Sequence, residues 1–425
     1  MKRKFVIPSL LAAGFWGGDT AANTPSDSVS DITKKNSVFD NLKSQHTYTL
    51  AGHRSHSSHR SPESLVQVGK MLFESRLLSL AEDTACASCH LDKFGSADGL
   101  PIAIGTEGEG IGIERVIRGG DIIPRNVLPL WGRGGKGFDV LFWDGKVEQK
   151  GRAVHSQFGD EVPSNDPLIV AAHLPPVEIG EMLIDNKSTL ELQTETVETA
   201  NSVYETLIER VREKPELGDA LAKAQSVSVA ELEFSDVAEA IATFIRSNFR
   251  VKPTKFHDFV FRDGSLSPEE IKGGLIFYGK GNCVACHNGP YFSDMGFHAI
   301  ASPQVGFGKN GFGVDYGRFN VTLNVDDKYL FRTPPLYNVT KTAPYMHSGS
   351  VYALSDAIRI HYDPLLFIDP ESMTGLERVD FYDRLKTWSQ EPINGVVLDD
   401  REFAALEKFL AALSYNSELP IRIID

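Results

Sequence analysis

The chain has 425 residues, a net charge of −14, and 41% hydrophobic and 24% charged residues. That composition excludes a disordered or fibrous chain and leaves room for two or three cored domains. The acidic balance argues against nucleic acid as a partner.

The opening "MKRKFVIPSLLAAGFWGGDTAAN" has a basic tip at Lys2, Arg3 and Lys4, a short apolar run from Phe5, and "TAA" ending at Ala22. It reads as an export signal over 1–22, cleaved after Ala22. The run is broken by Pro8 and is too short to span a bilayer, so the expected address is the periplasm without stable membrane insertion. Residues 23–64 are rich in Ser, Thr, Lys and His and build no core, which predicts a flexible polar segment.

Leu65, Val68, Met71 and Leu72 recur at helical spacing and predict a helix ahead of the first cysteines. All four cysteines fall in "CASCH" (Cys86, Cys89, His90) and "CVACH" (Cys283, Cys286, His287). C-x-x-C-H is the spacing that covalent c-type haem needs: two thiols reach the vinyl groups and the next histidine comes under the iron. A zinc site built from both pairs is disfavoured by their separation along the chain. Two haem c groups are therefore expected, with His90 and His287 as proximal ligands.

Residues 99–145 are rich in Gly and Pro and predict long loops, as suits a core partly supplied by a cofactor. The stretch from Glu231 predicts a helix with Phe234, Val237, Ile241, Phe244 and Ile245 on one side. Before the second cysteine pair, Ser267, Pro268 and Glu270 form a capping signature, with Ile271, Leu275 and Ile276 facing inward. "ALSDAIRIHYDP" (353–364) predicts a helix carrying His361 and Tyr362, either of which could be a metal ligand or simply packed. A last helix repeats the apolar pattern with Phe403, Leu406, Phe409, Leu410 and Leu413. This recurrence predicts a mainly α fold of two cytochrome c-like domains, 65–250 and 251–425, each wrapping one covalent haem.

The segments "GKMLFESRLL", "CASCH", "RNV", "FWDGK", "PVEIGEM", "CVACHNGPYFSD" and "FRTPPLYNVTKTAPYMHSG" together resemble the bacterial di-haem cytochrome c peroxidases and their relatives of the MauG and MbnH type. The resemblance implies a peroxide-reactive first haem and an electron-relay second haem. Its catalytic carboxylate falls on Glu178, with Glu181 as second choice, and Trp143 matches the tryptophan between the haems. A calcium ion between the haems would take Asn126 and the carbonyls of Thr342 and Pro344 as ligands. The relay haem's distal ligand lies fourteen residues after the histidine of "APYMHSG"; counting from His347 gives His361, where ordinary members have methionine and MauG has tyrosine. Tyr362 is the alternative at a one-residue gap. The stretch between Trp143 and Glu178 is longer than in ordinary members and adds His155 and His173, which could cap the first iron. An imidazole in place of the thioether lowers the relay potential, which favours hydrogen peroxide-dependent oxidation of an aromatic residue, tryptophan above all, on a secreted partner protein. The alternative is reduction of peroxide to water with electrons from a small periplasmic cytochrome or cupredoxin.

Overall fold

Two helix crossings organise the chain, and each is built around a glycine. In the computed structural model, which describes residues 63–159, 161–183 and 196–415, the Glu63–Glu74 helix packs on the Phe234–Asn248 helix. A Cβ on Gly69 would stand 2.0 Å from the Ala240 carbonyl oxygen, so the backbones meet directly. The Pro268–Tyr278 helix packs on the Asp400–Ala411 helix in the same way. There a Cβ on Gly273 would stand 1.9 Å from the Ala405 oxygen. Each glycine also rests on a phenylalanine one turn further on, Phe244 and Phe409. The internal repetition expected from the sequence is thus present as a repeated crossing.

The apolar faces follow from this contact. Leu65, Val68, Leu72 and Phe73 are buried on the first helix, and Phe234, Val237, Ile241, Phe244 and Ile245 on its partner. The Ser267–Glu270 capping box forms as expected. Ile271 and Leu275, however, are only half-buried, and the inward face is Gly273, Gly274, Ile276 and Phe277. The close approach at Gly273 rotates the helix away from the face that side-chain apolarity alone predicts.

Three further helices of several turns, Val197–Arg212, Pro215–Gln225 and Gly375–Trp388, flank these crossings in sequence, and the rest is mostly loop with short helices and two- or three-stranded antiparallel sheets. Val140–Leu141, Val147–Lys150 and Ala153–His155 form one sheet, and Phe297–His298 pairs with Phe331–Arg332. The helix expected to hold "AIRIHY" covers only Leu354–Arg359. His361 and Tyr362 lie in the turn that follows, because Asp363 precedes Pro364 and is steered out of helical geometry. The expected export signal and the polar segment up to residue 62 lie outside the described residues. No helix among the described residues is long and apolar enough to cross a membrane.

Gly69→Ala and Gly273→Ala should each destabilise the protein by about 1–3 kcal/mol or more, the range for overpacking, since the obstruction is backbone. In denaturant unfolding the exposed neighbour Lys272→Ala should stay within about 0.5 kcal/mol of the parent. Equal stability of all three would remove the crossings from the account.

Candidate active site

Each cysteine pair opens onto its own cavity. Cys86, Cys89 and His90 line one, and Cys283, Cys286 and His287 line another. Trp143 lines both. Its indole Nε1 donates to the Asn126 carbonyl at 2.8 Å, which fixes the ring at the junction.

The histidines share one arrangement. The Nδ1 of His90 meets the Ser96 carbonyl at 2.8 Å, that of His287 the Phe292 carbonyl at 2.9 Å, and that of His361 the Ala357 carbonyl at 2.6 Å. Only a protonated Nδ1 can donate to a carbonyl, so Nε2 keeps its lone pair in each. Burial pushes His90 and His287 down to about 4 and lowers His361 as well, keeping all three neutral. The rings of His287 and His361 face each other with centroids 6.4 Å apart. An imidazole nitrogen sits about 2 Å from a metal it binds, so two imidazoles on one metal have centroids on the order of 6 Å apart. Tyr362 points elsewhere: its hydroxyl donates to the Gly281 carbonyl at 2.8 Å and lies 3.4 Å from the Cys283 sulfur.

The first cavity carries acids and cations instead of a second imidazole. Glu178 and Glu181 both line it, with Lys146 and Lys309. Lys146 is ion-paired to Glu178, and the Lys309 ammonium stands 4.0 Å from the same carboxylate. Burial works against ionisation of Glu178, but the two lysine charges outweigh it and hold its carboxyl below the usual range. Glu181 has burial and the Glu178 charge acting together, which push it up to about 7. Two neighbouring carboxyls are thereby driven apart in acidity. His155 is exposed on a strand, and His173 packs against Tyr204 and Phe234; neither lines this cavity.

Behind Trp143 lies a buried ion cluster. Arg125 donates to Asp315 at 2.7 and 2.9 Å and to Asp144 at 2.6 Å. Asp144 accepts from the Lys146 amide at 3.1 Å, so the cluster also seats the lysine that holds Glu178. The Asn126 side-chain amide donates to the Pro344 carbonyl at 2.5 Å, while the Thr342 hydroxyl donates to Val339. Two of the three groups expected around calcium therefore meet as a hydrogen bond. Cys286, His298 and Glu391 bring potential metal-binding atoms within 4.8 Å of one another. Thioether formation at Cys286 would take its thiolate out of that set, leaving His298 between Asp294 (2.8 Å) and Glu391 (2.9 Å).

A family model described as di-haem cytochrome c peroxidase matches residues 63–265. The chain is 29% identical to cytochrome c551 peroxidase of Pseudomonas aeruginosa, over 69% of this chain and 70% of that one. It is 27% identical to the methylamine utilization protein MauG of Methylorubrum extorquens, over 77% and 78%. These likenesses support membership of the di-haem cytochrome c peroxidase and MauG superfamily. A solved MauG-like protein associated with microbial copper homeostasis shares its fold, with a TM-score of 0.62 and 22% identity over 83% of this chain and 89% of that one. The protein is an oxidoreductase, and the same likenesses support a pair of c-type haems as its cofactor and hydrogen peroxide as its oxidant. The site fits that cofactor: each cavity offers two thiols and a neutral imidazole with a free Nε2. Lys146 and Lys309 escaped the sequence reading; Lys146 stood within "FWDGK" without a role, and Lys309 lies in a Gly-rich hairpin with no chemical signature.

Asp315 is held down to about 2: burial opposes ionisation, and its bonds to Arg125 more than offset that. Its folded value lies below its ordinary 3.8, so its contribution is present above about pH 4 and is lost as pH falls toward 2. Asp315→Asn should cost about 3–5 kcal/mol at neutral pH, since it leaves part of a buried ion cluster uncompensated. Acid titration of unfolding should then show a shallower loss between pH 4 and 2 than in the parent. Parallel acid profiles would contradict the cluster's role.

Proposed function

We propose that the protein is a periplasmic peroxidase that reduces hydrogen peroxide to water with electrons from a small cytochrome or cupredoxin. The observation carrying this reading is the asymmetry of the cavities. His287 faces His361 across one, which suits a six-coordinate electron relay with those two residues as ligands. His90 shares the other with Glu178 and Glu181, which suits a site that takes up substrate. The naming of several relatives as cytochrome c peroxidases supports the same choice over oxidation of a partner protein.

Bound haem supplies iron redox chemistry in both cavities, cleavage of the oxygen–oxygen bond beside His90 and electron storage beside His287. The chain's own residues move protons and hold groups in place. One peroxide, two electrons and two protons give two waters. Glu178, kept ionised by Lys146, accepts the proton of peroxide and returns it to the leaving oxygen. Glu181 keeps a proton available up to about pH 7. Trp143, common to both cavities, shortens the electron path between them. A calcium ion at Asn126, Thr342 and Pro344 would require the Asn126 amide to turn its oxygen toward Pro344. One observation favours a second reading, peroxide-driven oxidation of a partner's tryptophan: an imidazole at His361 gives the relay a lower potential than a thioether would.

Steady-state turnover of the holoprotein with peroxide and a reduced small cytochrome tests the choice. Rapid donor oxidation, on the order of 10 s⁻¹, is expected. Peroxide consumption that occurs only when a partner's tryptophan is offered would replace the first reading with the second. Glu178→Gln should slow the peroxide reaction by about 10²–10⁴-fold. Activity of the parent should fall as pH rises through about 7, where Glu181 loses its proton; Glu181→Gln should flatten that profile.

A further inference from the structure

Two buried arginines that line the cavities meet no carboxylate among the described residues. Arg133 is 7% exposed and Arg332 is 1% exposed; the first lines the His90 cavity and the second the His287 cavity. Arg133 donates through Nε to the Pro129 carbonyl at 3.1 Å and through Nη2 to the Leu128 carbonyl at 3.4 Å. Arg332 donates through Nε to the Phe142 carbonyl and through Nη1 to the Thr333 carbonyl, both at 3.0 Å, and Nη1 also meets the Met295 sulfur at 3.6 Å. Neither meets a carboxylate among the described residues, and Nη1 of Arg133 and Nη2 of Arg332 find no acceptor there. The remaining buried arginines differ: Arg115 lines neither cavity and donates to the Ile104 and Gly105 carbonyls and the Thr84 hydroxyl, while Arg125 has Asp144 and Asp315, Arg318 has Glu148, and Arg384 has Asp380. Burial lowers Arg133 to about 10 and Arg332 to about 9, the nearby Arg133 charge adding to the effect on Arg332.

A buried cation is tolerated when an anion joins it. Each haem brings two carboxylates, on the propionate edge away from the vinyl groups that the cysteines capture. We propose that Arg133 and Arg332 are the seats for haem propionates, one in each cavity, and that Arg332 links its seat to the bridging tryptophan. The link is direct. Its backbone N–H donates to the Trp143 carbonyl at 2.8 Å, and its side chain holds the carbonyl of Phe142, a residue in the left-handed region at φ +66°. The seat therefore grips the turn that presents the indole to both cavities. This inference rests on the di-haem reading above.

The test is spectroelectrochemical titration of both haems in the parent, Arg332→Gln, Arg332→Lys, Arg133→Gln and Arg133→Lys, each first assayed for covalent haem by pyridine haemochrome and intact mass. Removing a cation beside a haem disfavours the reduced state, so Arg332→Gln should lower the midpoint potential of the haem at His287, and Arg133→Gln that of the haem at His90. Each Gln variant should also gain a pH dependence of potential from the released propionate, and each Lys variant should recover most of the shift. Two haems per chain with unshifted, pH-independent potentials in both Gln variants would overturn the assignment, leaving the arginines as clamps on backbone carbonyls. A parent chain carrying no covalent haem would instead overturn the di-haem reading on which it stands.

Discussion

The fork of Arg125 is the interaction on which the functional region depends. It joins Asp144, beside Trp143, to Asp315, in a segment far along the chain. Asp144 sets the Lys146 amide, and Asp315 closes the hairpin that carries Lys309. The two lysines that hold Glu178 ionised therefore reach it from segments tied together by one guanidinium. Arg125 and Phe142 both adopt positive φ, at +84° and +66°. Such backbone persists only where surrounding bonds over-determine it, and here the ion cluster and Arg332 provide them.

A second constraint acts on the histidines. His90, His287 and His361 each have Nδ1 on a backbone carbonyl four to six residues away in the chain, so the fold sets the tautomer and ring orientation of these three before any cofactor arrives. This explains why position in sequence matters so much near residue 361. The helix stops at Arg359, and the following turn sends one side chain across the cavity and its neighbour back toward Gly281. Had the helix continued, His361 and Tyr362 would have been displaced by a turn-dependent rotation, and the opposition to His287 would be lost.

Much of this was readable in the chain. The C-x-x-C-H motifs located both cavities, and the amphipathic runs gave the four helices of the glycine crossings and about half of their buried residues, while the Val197–Arg212 and Gly375–Trp388 helices went unread. What escaped reading was set by tertiary approach. The crossing at Gly273 turned its helix so that Ile271 and Leu275 became half-buried, and no periodicity of side chains records a contact made by a missing side chain. The acidity of Glu178 and Glu181 depends on Lys309, well over a hundred residues away in the chain. The unpaired state of Arg133 and Arg332 is likewise invisible, since a sequence shows charges without their neighbours.

The claim from which the electron-relay reading follows is that His361 and His287 would hold one haem between them. Low-temperature electron paramagnetic resonance of the ferric holoprotein, with His361→Ala and Tyr362→Phe alongside, tests it most directly. The account predicts a bis-imidazole low-spin signal in the parent and in Tyr362→Phe, converted to a high-spin signal in His361→Ala while the other haem's spectrum is unchanged. A low-spin signal that survives in His361→Ala, or one that disappears in Tyr362→Phe, would contradict it.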